Sequence, residues 1–497
     1  MKHTKTRATW RGLVGGAAVA LLAFGGAQAA NAADNVIDPD QTGSLTVHKH
    51  QQSSPASETE GTGLEQSLDT DQYPPIGNIE FSLQQLDVDL TTNQGWQDLA
   101  DLNETFSPNL NVADTPWGLP VTGDVETDRT ANDGALTFGD LEPGAYLVWE
   151  SDWQNPVDAN GEAVDGGITP SFPFIVTVPM TNPDDLNAWV YDVHVYPKNA
   201  VTPPPTKTVE DSDAVKIGDN IEYTITSEIP DGTEIDGYRV RDTFDAKLAY
   251  VSSTVELSDG TALVEGTDYT VNQDGQTVDI DFTAAGLDVL EQHSDAQVVV
   301  THTATVLEVG EITNEPQLFP NNPAIENDTP TDGPGVETKF GNIVIQKHDE
   351  NDEALAGAKF SVYLTEEDAR NNTNAIEIDG QSVFESGEDG IALIEGLRYS
   401  CFEDGAELAE EDCRSYWVAE VEAPAGYELL ANPIEVSVDS TDAEVPTETV
   451  VNVPKNAGFE LPITGGAGTS ALLIGGLLLM GGAIVVLARR RKTSTAA

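Results

Sequence analysis

The chain reads as an all-β protein of three tandem β-sandwich domains set between a secretory leader and a membrane segment. Three observations predict it. Helical periodicity is nearly absent between the two ends, while short runs at residues 43–49, 297–306 and 341–347 alternate apolar and polar side chains, as strands with one buried face do. Clusters of Gly, Asn, Asp and Pro punctuate those runs. The length left once both ends of the 497-residue chain are removed suits about three domains, and 39% hydrophobic residues suffice for packed cores.

The elements follow in order. Lys2, Lys5, Arg7 and Arg11 precede an apolar stretch from Leu13 to Phe24, and small residues follow at Ala27-Gln28-Ala29 and through Ala33. Residues 1–33 therefore read as a signal peptide with Ala-x-Ala cleavage options. The first mature domain spans 34–200 and includes a long polar loop at 53–75. Pro203-Pro204-Pro205 favours polyproline II and forms a stiff spacer. A middle domain follows at 201–337, with a boundary signalled by Pro, Asn, Asp and Gly in 321–335, and a C-terminal domain at 338–460. The first and third domains both open with a strand ending in Lys-His, at Lys49-His50 and Lys347-His348, and both carry a later strand ending in Glu, at Glu150 and Glu420. Residues 461–497 end the chain. Their apolar run at 471–488 is uncharged and about long enough to cross a bilayer, and Arg489-Arg490-Arg491-Lys492 behind it should stay cytoplasmic.

Lys+Arg 23 against Asp+Glu 85 gives a net charge of -62. Such a surface excludes nucleic acid as a partner, because phosphate binding needs clustered cations. It keeps an exported protein soluble and offers carboxylates for calcium, though the sequence has no EF-hand loop. The two cysteines, Cys401 and Cys413, favour a disulfide in an exported chain. A metal pair is the alternative, and it lacks further His or Cys ligands nearby. No metal site or cofactor is expected. The histidines, His48, His50 and His194 among them, show no nucleophile partner or ligand spacing, and no phosphate loop or catalytic triad stands out.

Leu461-Pro462-Ile463-Thr464-Gly465, followed by the apolar run and the basic tail, resembles the LPxTG sorting signal of Gram-positive surface proteins. The resemblance implies that a sortase cysteine attacks the Thr464 carbonyl, releases Gly465 with the anchor and passes Thr464 to an amine. Upstream, residues 189–199 alternate as a strand up to Pro197, which cannot donate to a ladder, so Lys198 is expected as an exposed amine at a strand exit. The same stretch resembles the WxxxVxVYPK motif of Spa-type major pilins at Trp189, Val193, Val195, Tyr196, Pro197 and Lys198. In that family the lysine resolves the acyl-enzyme and so joins one subunit to the next.

Two further resemblances imply internal cross-links. The C-terminal domain resembles a Cna protein B-type domain. Its residues 416–427 resemble the E-box YxLxETxAPxGY, departing from it at Val418 and Val421-Glu422. That implies Lys347 as nucleophile, Glu420 as acid and Asn452 as acceptor, with Asn456 the rival outside the alternating run. The middle domain resembles a fimbrial isopeptide-forming domain, with Lys207, Asp242 and Asn314 in the same roles. A buried, neutral lysine attacks the Asn carbonyl, a protonated carboxyl polarises it, and ammonia leaves. Lys49, Glu150 and Asn199 would make a third set, which the sequence alone does not establish.

The resemblances cover the mature chain and imply three Ig-like, Cna protein B-type sandwiches in a major pilin. This would be a sortase substrate rather than a turnover enzyme, anchored to the cell wall. Its implied partners are other copies of itself, pilin-specific and housekeeping sortases, peptidoglycan and ancillary pilins. The alternative is a wall-anchored adhesin that never polymerises and has no need of Lys198.

Overall fold

In Gly43–His48 and Gln297–Val306 every second residue is buried, which is the period of a pleated strand with one face on a core. The computed structural model describes residues 36–52, 61–231 and 234–455. The leader, the sorting pentapeptide Leu461, Pro462, Ile463, Thr464 and Gly465, the apolar run at 471–488 and Asn456 lie outside them. Among the described residues, no helix is long and apolar enough to cross a membrane.

In the first sandwich a four-stranded sheet orders Val121–Arg129, Glu80–Leu86, Gly144–Asp152 and Phe174–Val178. A three-stranded sheet orders Asp192–Val195, Gly43–His48 and Ala135–Leu141. Leu45, Val47, Phe138 and Val193 from the second sheet pack with Phe81, Leu83, Tyr146 and Val148 from the first. The last strand runs parallel to the first, with Leu45 opposite Val193 and Val47 opposite Val195.

The middle sandwich pairs a sheet of Thr206–Glu210, Asn220–Glu228, Gln297–Val306 and Leu248–Leu257 with one of Tyr269–Asp274, Thr277–Phe282, Arg239–Thr243, Pro316–Phe319 and Thr331–Asp332. In the C-terminal sandwich, Val336–His348 lies between Gly310–Asn314 and Ile391–Arg398 and also pairs with Glu448–Val451. The facing sheet orders Phe384–Glu385, Lys359–Tyr363, Tyr416–Glu422 and Ile434–Val436.

Two features depart from the sequence reading. The region at 321–335 is ordered structure. Asn321 caps a short helix, Asn322–Asn327, and Thr331–Asp332 pairs with Pro316–Phe319. The strand Val336–His348 then runs straight through the expected 337/338 division. Its first part pairs with Gly310–Asn314 and the rest with Ile391–Arg398. Four α-helices also occur among the described residues, the longest being Asn93–Thr105 and Ala284–Gln292. Each of these two starts at a threonine, Thr92 or Thr283, whose hydroxyl accepts an otherwise unpaired backbone N–H.

The middle and C-terminal sandwiches share one hydrophobic cluster, running from Val209 to Val450. At their junction Arg398 and Asp211 are both fully buried, with Nη1 donating to Oδ1 at 3.2 Å. Thr338 Oγ1 donates to the other Asp211 oxygen, and Arg398 Nη2 lies 2.6 Å from Glu403 Oε2. Gly396, with φ of +98°, lets Ile217 approach; a Cβ there would lie 2.7 Å from Ile217 Cγ1. Cys401 and Cys413 are disulfide-bonded, as expected, with Cα atoms 4.4 Å apart. The loop they close carries Glu403 and Asp404, and Asp404 exchanges backbone-to-carboxylate bonds with Asp211 at 2.9 Å in each direction.

Candidate functional site

Each sandwich buries one lysine, one acid and one asparagine together. The lysine comes from the opening strands and the acid from the facing sheet. In the first and third sandwiches the asparagine follows on a strand parallel to the lysine's own. Parallel pairing puts the first and last strands side by side, so a short bond can span them.

The first set has the most complete contacts. Lys49, Glu150 and Asn199 are all buried. Lys49 Nζ donates to Glu150 Oε1 at 2.6 Å and to Asn199 Oδ1 at 2.5 Å. Asn199 Nδ2 donates to Glu150 Oε2 at 2.8 Å. Ser171 adds its backbone N–H to Asn199 Oδ1 at 2.8 Å and to Glu150 Oε1 at 3.0 Å, and its hydroxyl to Glu150 Oε1 at 2.5 Å. Burial pushes the Lys49 amine down to about 8, against the pull of Glu150.

In the middle set, Lys207 Nζ donates to Asp242 Oδ2 at 2.6 Å, and Asn314 Nδ2 donates to the same oxygen at 3.1 Å. Lys207 stands 4.7 Å from the Tyr223 ring centroid and 5.9 Å from that of Phe244. Burial lowers its amine to about 8. The side-chain oxygen of Asn314 has no partner among the described residues.

In the C-terminal set, Asn452 Nδ2 donates to both Glu420 oxygens, at 2.8 and 3.1 Å. Burial raises the Glu420 carboxyl and pushes Lys347 down to about 8. Here Lys347 Nζ rests on backbone carbonyls, donating to Val450 at 3.0 Å and His348 at 3.1 Å. The structure therefore gathers the two expected sets and also the Lys49, Glu150 and Asn199 set that the sequence left open, with Lys347 donating to backbone carbonyls rather than to its acid.

Chemically the three sites share one capability. Desolvation favours the neutral amine in all three, the nucleophile that amide exchange requires, and in the C-terminal set it also raises the Glu420 carboxyl. In the first site the Ser171 N–H points at the oxygen where negative charge would develop, as oxyanion-hole donors do.

Lys198 differs from its expected setting. It opens the strand Lys198–Thr202 rather than ending one, and it is half-buried rather than exposed. Its Nζ lies 5.1 Å from the Tyr73 ring centroid. Trp189 stacks on Trp96 of helix Asn93–Thr105 at 5.9 Å. The histidines are more engaged than their sequence context indicated. His48 Nε2 and His194 Nδ1 share a 2.9 Å hydrogen bond, and His48 stacks on Tyr196 at 4.7 Å. His302 is fully buried beside Asp242. Among the described residues no group of His, Cys, Asp and Glu is arranged to hold a metal ion.

Four family descriptions match consecutive stretches of the chain. They are Gram-positive pilin subunit D1, N-terminal domain, at residues 40–200, the Sgo0707 N2 domain at 202–330, a prealbumin-like fold domain at 341–452 and the LPXTG cell wall anchor motif at 453–494. Fimbrial subunit type 1 of Actinomyces viscosus is 33% identical over 515 residues, covering 92% of each chain. Fimbrial subunit type 2 of Actinomyces naeslundii is 31% identical, covering 89% of this chain and 88% of its own. The solved structure of the full-length major pilin SpaD from Corynebacterium diphtheriae aligns with a TM-score of 0.61 at 29% identity, covering 84% of this chain and 98% of that one. The major pilin SpaA of the same organism, whose structure points to a modular pilus assembly with stabilising isopeptide bonds, aligns at 0.56 and 27%, covering 82% and 99%.

Proposed function

The chain belongs to the Gram-positive fimbrial subunit family, and from that premise we propose that it is the shaft subunit of a covalent fibre, with Thr464 of one copy joined to Lys198 of the next. It is a cell-wall-anchored surface pilus protein. The step proposed for Lys198 is resolution of a sortase thioester. The amine attacks the thioester carbonyl of Thr464, the enzyme thiolate leaves, and one amine proton passes to a base of the sortase. Head-to-tail joining of this kind is a heterologous contact and builds a filament. A pilin-specific sortase would make these links, and a housekeeping sortase would pass the last subunit to peptidoglycan.

The observation that carries this reading is the pair that opens one strand. Successive side chains of a strand point to opposite faces. Asn199 is buried against Lys49 and Glu150, while Lys198 is directed to the Tyr73 edge and stays partly accessible. An acceptor amine placed beside a braced residue is suited to take up a second protein's acyl group.

Internally, we infer that all three sets close Lys–Asn amides. In the first, the Lys49 ammonium gives a proton to Glu150 across 2.6 Å and becomes an amine. It attacks the Asn199 side-chain carbon while the Ser171 N–H and the protonated carboxyl stabilise the oxygen. Glu150 then relays a proton to the departing nitrogen. Ammonium, carboxylate and primary amide become secondary amide, carboxylic acid and ammonia, so atoms and charge balance. Lys207 to Asn314 through Asp242, and Lys347 to Asn452 through Glu420, follow the same scheme.

Lys198→Ala should leave a folded, wall-anchored monomer and abolish the high-mass ladder in denaturing gels of wall extracts. Lys198→Arg gives no rescue, because a guanidinium does not become a neutral amine. A surviving ladder would reject Lys198 as the nucleophile. A single band from the wild type would favour an adhesin that does not polymerise.

A further inference from the structure

The middle set has a fourth buried group. His302, on Gln297–Val306, is fully buried, and its Nε2 lies 4.0 Å from Asp242 Oδ2. Four polar atoms around Lys207 lack a hydrogen-bond partner among the described residues: Asp242 Oδ1, His302 Nε2, Asn314 Oδ1 and Tyr223 Oη. Orphaned polar atoms are costly in a core. Several beside one charge pair mark a place built for more than packing. The other two acids are better served. Glu150 accepts from Ser171, and Glu420 accepts the Leu430 N–H at 2.8 Å. Among the described residues Asp242 receives hydrogen bonds only from Lys207 and Asn314, both on one oxygen.

The far side of the imidazole leads outward. His302 Nδ1 shares a 2.7 Å hydrogen bond with Ser253 Oγ, which shares another of 2.7 Å with Tyr250 Oη. Ser253 and Tyr250 are both partly exposed. Together they form a hydrogen-bonded chain from a sealed site to the surface.

We propose that His302 is a positioning residue for amide exchange in the middle domain, acting through Asp242 as hydrogen-bond acceptor and proton relay. This rests on the reading that Lys207 and Asn314 become joined. Lys207 passes one proton to Asp242, and a closure of about 1 Å across the 4.0 Å gap lets the resulting carboxylic acid donate to His302 Nε2, which holds it neutral and aimed at Asn314. In that tautomer Nδ1–H donates to Ser253. The amine attacks, its second proton crosses Asp242 to the leaving nitrogen, and ammonia departs. The proton left on Asp242 either stays on the carboxyl or exits by tautomer exchange through His302, Ser253 and Tyr250 to the ammonia in solvent. The titratable and charged groups facing His302 are Asp242 and Lys207, with Tyr223 and Tyr250 in the same pocket. Burial keeps the imidazole neutral, pushing it to about 4, so it accepts rather than repels at neutral pH.

The test is a timed one. The full mature chain is made by brief cell-free synthesis, held at pH 6 to 9 and quenched in denaturant. Peptide mass spectrometry then follows the Lys207–Asn314 link, with Lys347–Asn452 in the same molecules as the reference. His302→Phe should slow the middle link about a hundredfold, the low end of the range for a lost acid–base assistant, and leave the reference unchanged. His302→Gln, whose amide oxygen can accept but cannot relay, should recover much of the rate with an altered pH profile. If both variants keep the wild-type rate and profile, the proposal is overturned. Where His302→Phe does not fold, His302→Gln decides: a changed profile supports the relay and an unchanged one rejects it. A wild type that never forms the middle link rejects the underlying reading instead.

Discussion

Replacing Lys49 by Met isolates the worth of the proposed first cross-link. Methionine keeps much of the lysine stem's volume and brings no charge. Glu150 retains its bonds from Ser171 and from Asn199 Nδ2, so the acid is not left without donors. What would disappear is the proposed amide and the loop it closes, roughly 150 residues long, for which chain entropy gives about 5 kcal/mol. For a domain of this size each kcal/mol moves the midpoint about 2–4 °C, so the N-terminal transition should fall by roughly 10–20 °C. Intact mass after disulfide reduction reads the bond, and calorimetry reads its effect. Beyond the change due to the substitution, the variant should be heavier by about 17 Da, the ammonia that amide exchange expels. If wild type and variant differ only by the mass of the substitution, the bond is absent. If wild type lacks the ammonia but the transition does not move, the loop-closure reasoning is wrong.

The other sets give parallel expectations. Asp242→Ala and Glu420→Ala should each restore one ammonia's mass, about 17 Da, because each removes the acid that moves the protons. Asn452→Leu leaves Lys347 as a buried amine near 8, well below its unfolded value. Between that pH and about 10.4 the unfolded chain binds more protons than the folded one, so urea stability of this variant should rise with pH across the window. Below it the penalty is fully present. The wild type, whose proposed amide would not titrate, should show no such rise from this group, and a flat variant curve would refute the buried amine. Arg398→Met strands Asp211 in the shared core and should cost about 3–5 kcal/mol. It should also split a joint middle and C-terminal unfolding transition into two, whereas an unchanged profile would show that the two domains unfold independently.

Much of the fold was legible because it rests on alternation: the runs at 43–49 and 297–306 lie in or beside strands of one-sided burial, whereas the run at 341–347 lies in a strand buried on both faces from Phe340 to Ile345. The helices escape a sequence reading for a physical reason. Asn93–Thr105 offers only Trp96, Leu99 and Leu102 as a spaced apolar stripe, and it is held by packing on the sandwich rather than by propensity. The capping threonines Thr92 and Thr283 were the available signal. The 321–335 stretch reads as a linker by composition, yet Asn321 uses its side chain both to cap a helix and to donate to Thr169 in the first domain. Among the site residues, Lys49, Glu150 and Asn199 were visible as types, but nothing local states that residues 150 apart in sequence meet in one core. Ser171 and His302 were not legible, because each matters through a contact from another strand or loop.

In the proposed fibre the three cross-links would differ in what they resist. Tension enters a subunit at Lys198, where the neighbour's Thr464 is attached. From there the covalent path runs through Thr202 and the prolines to Lys207, across the amide to Asn314, along Val336–His348 to Lys347, and across the second amide to Asn452. The bodies of the middle and C-terminal domains hang as closed loops beside that path, and force cannot draw them out while the amides hold. The connection between them is a continuous strand, paired on both sides and clamped by Asp211 and Arg398. The first domain lies almost wholly upstream of Lys198 and so outside the path. Its amide would act against peeling instead. A pull at Lys198 would strip the strand Lys198–Thr202 from its neighbours His50–Gln51 and Gly167–Thr169 one hydrogen bond at a time. An amide at Asn199, one residue from the point of loading, stops that peeling at its first step. Such a stop would account for a cross-link set beside the proposed polymerising lysine in a domain that would carry no tension of its own.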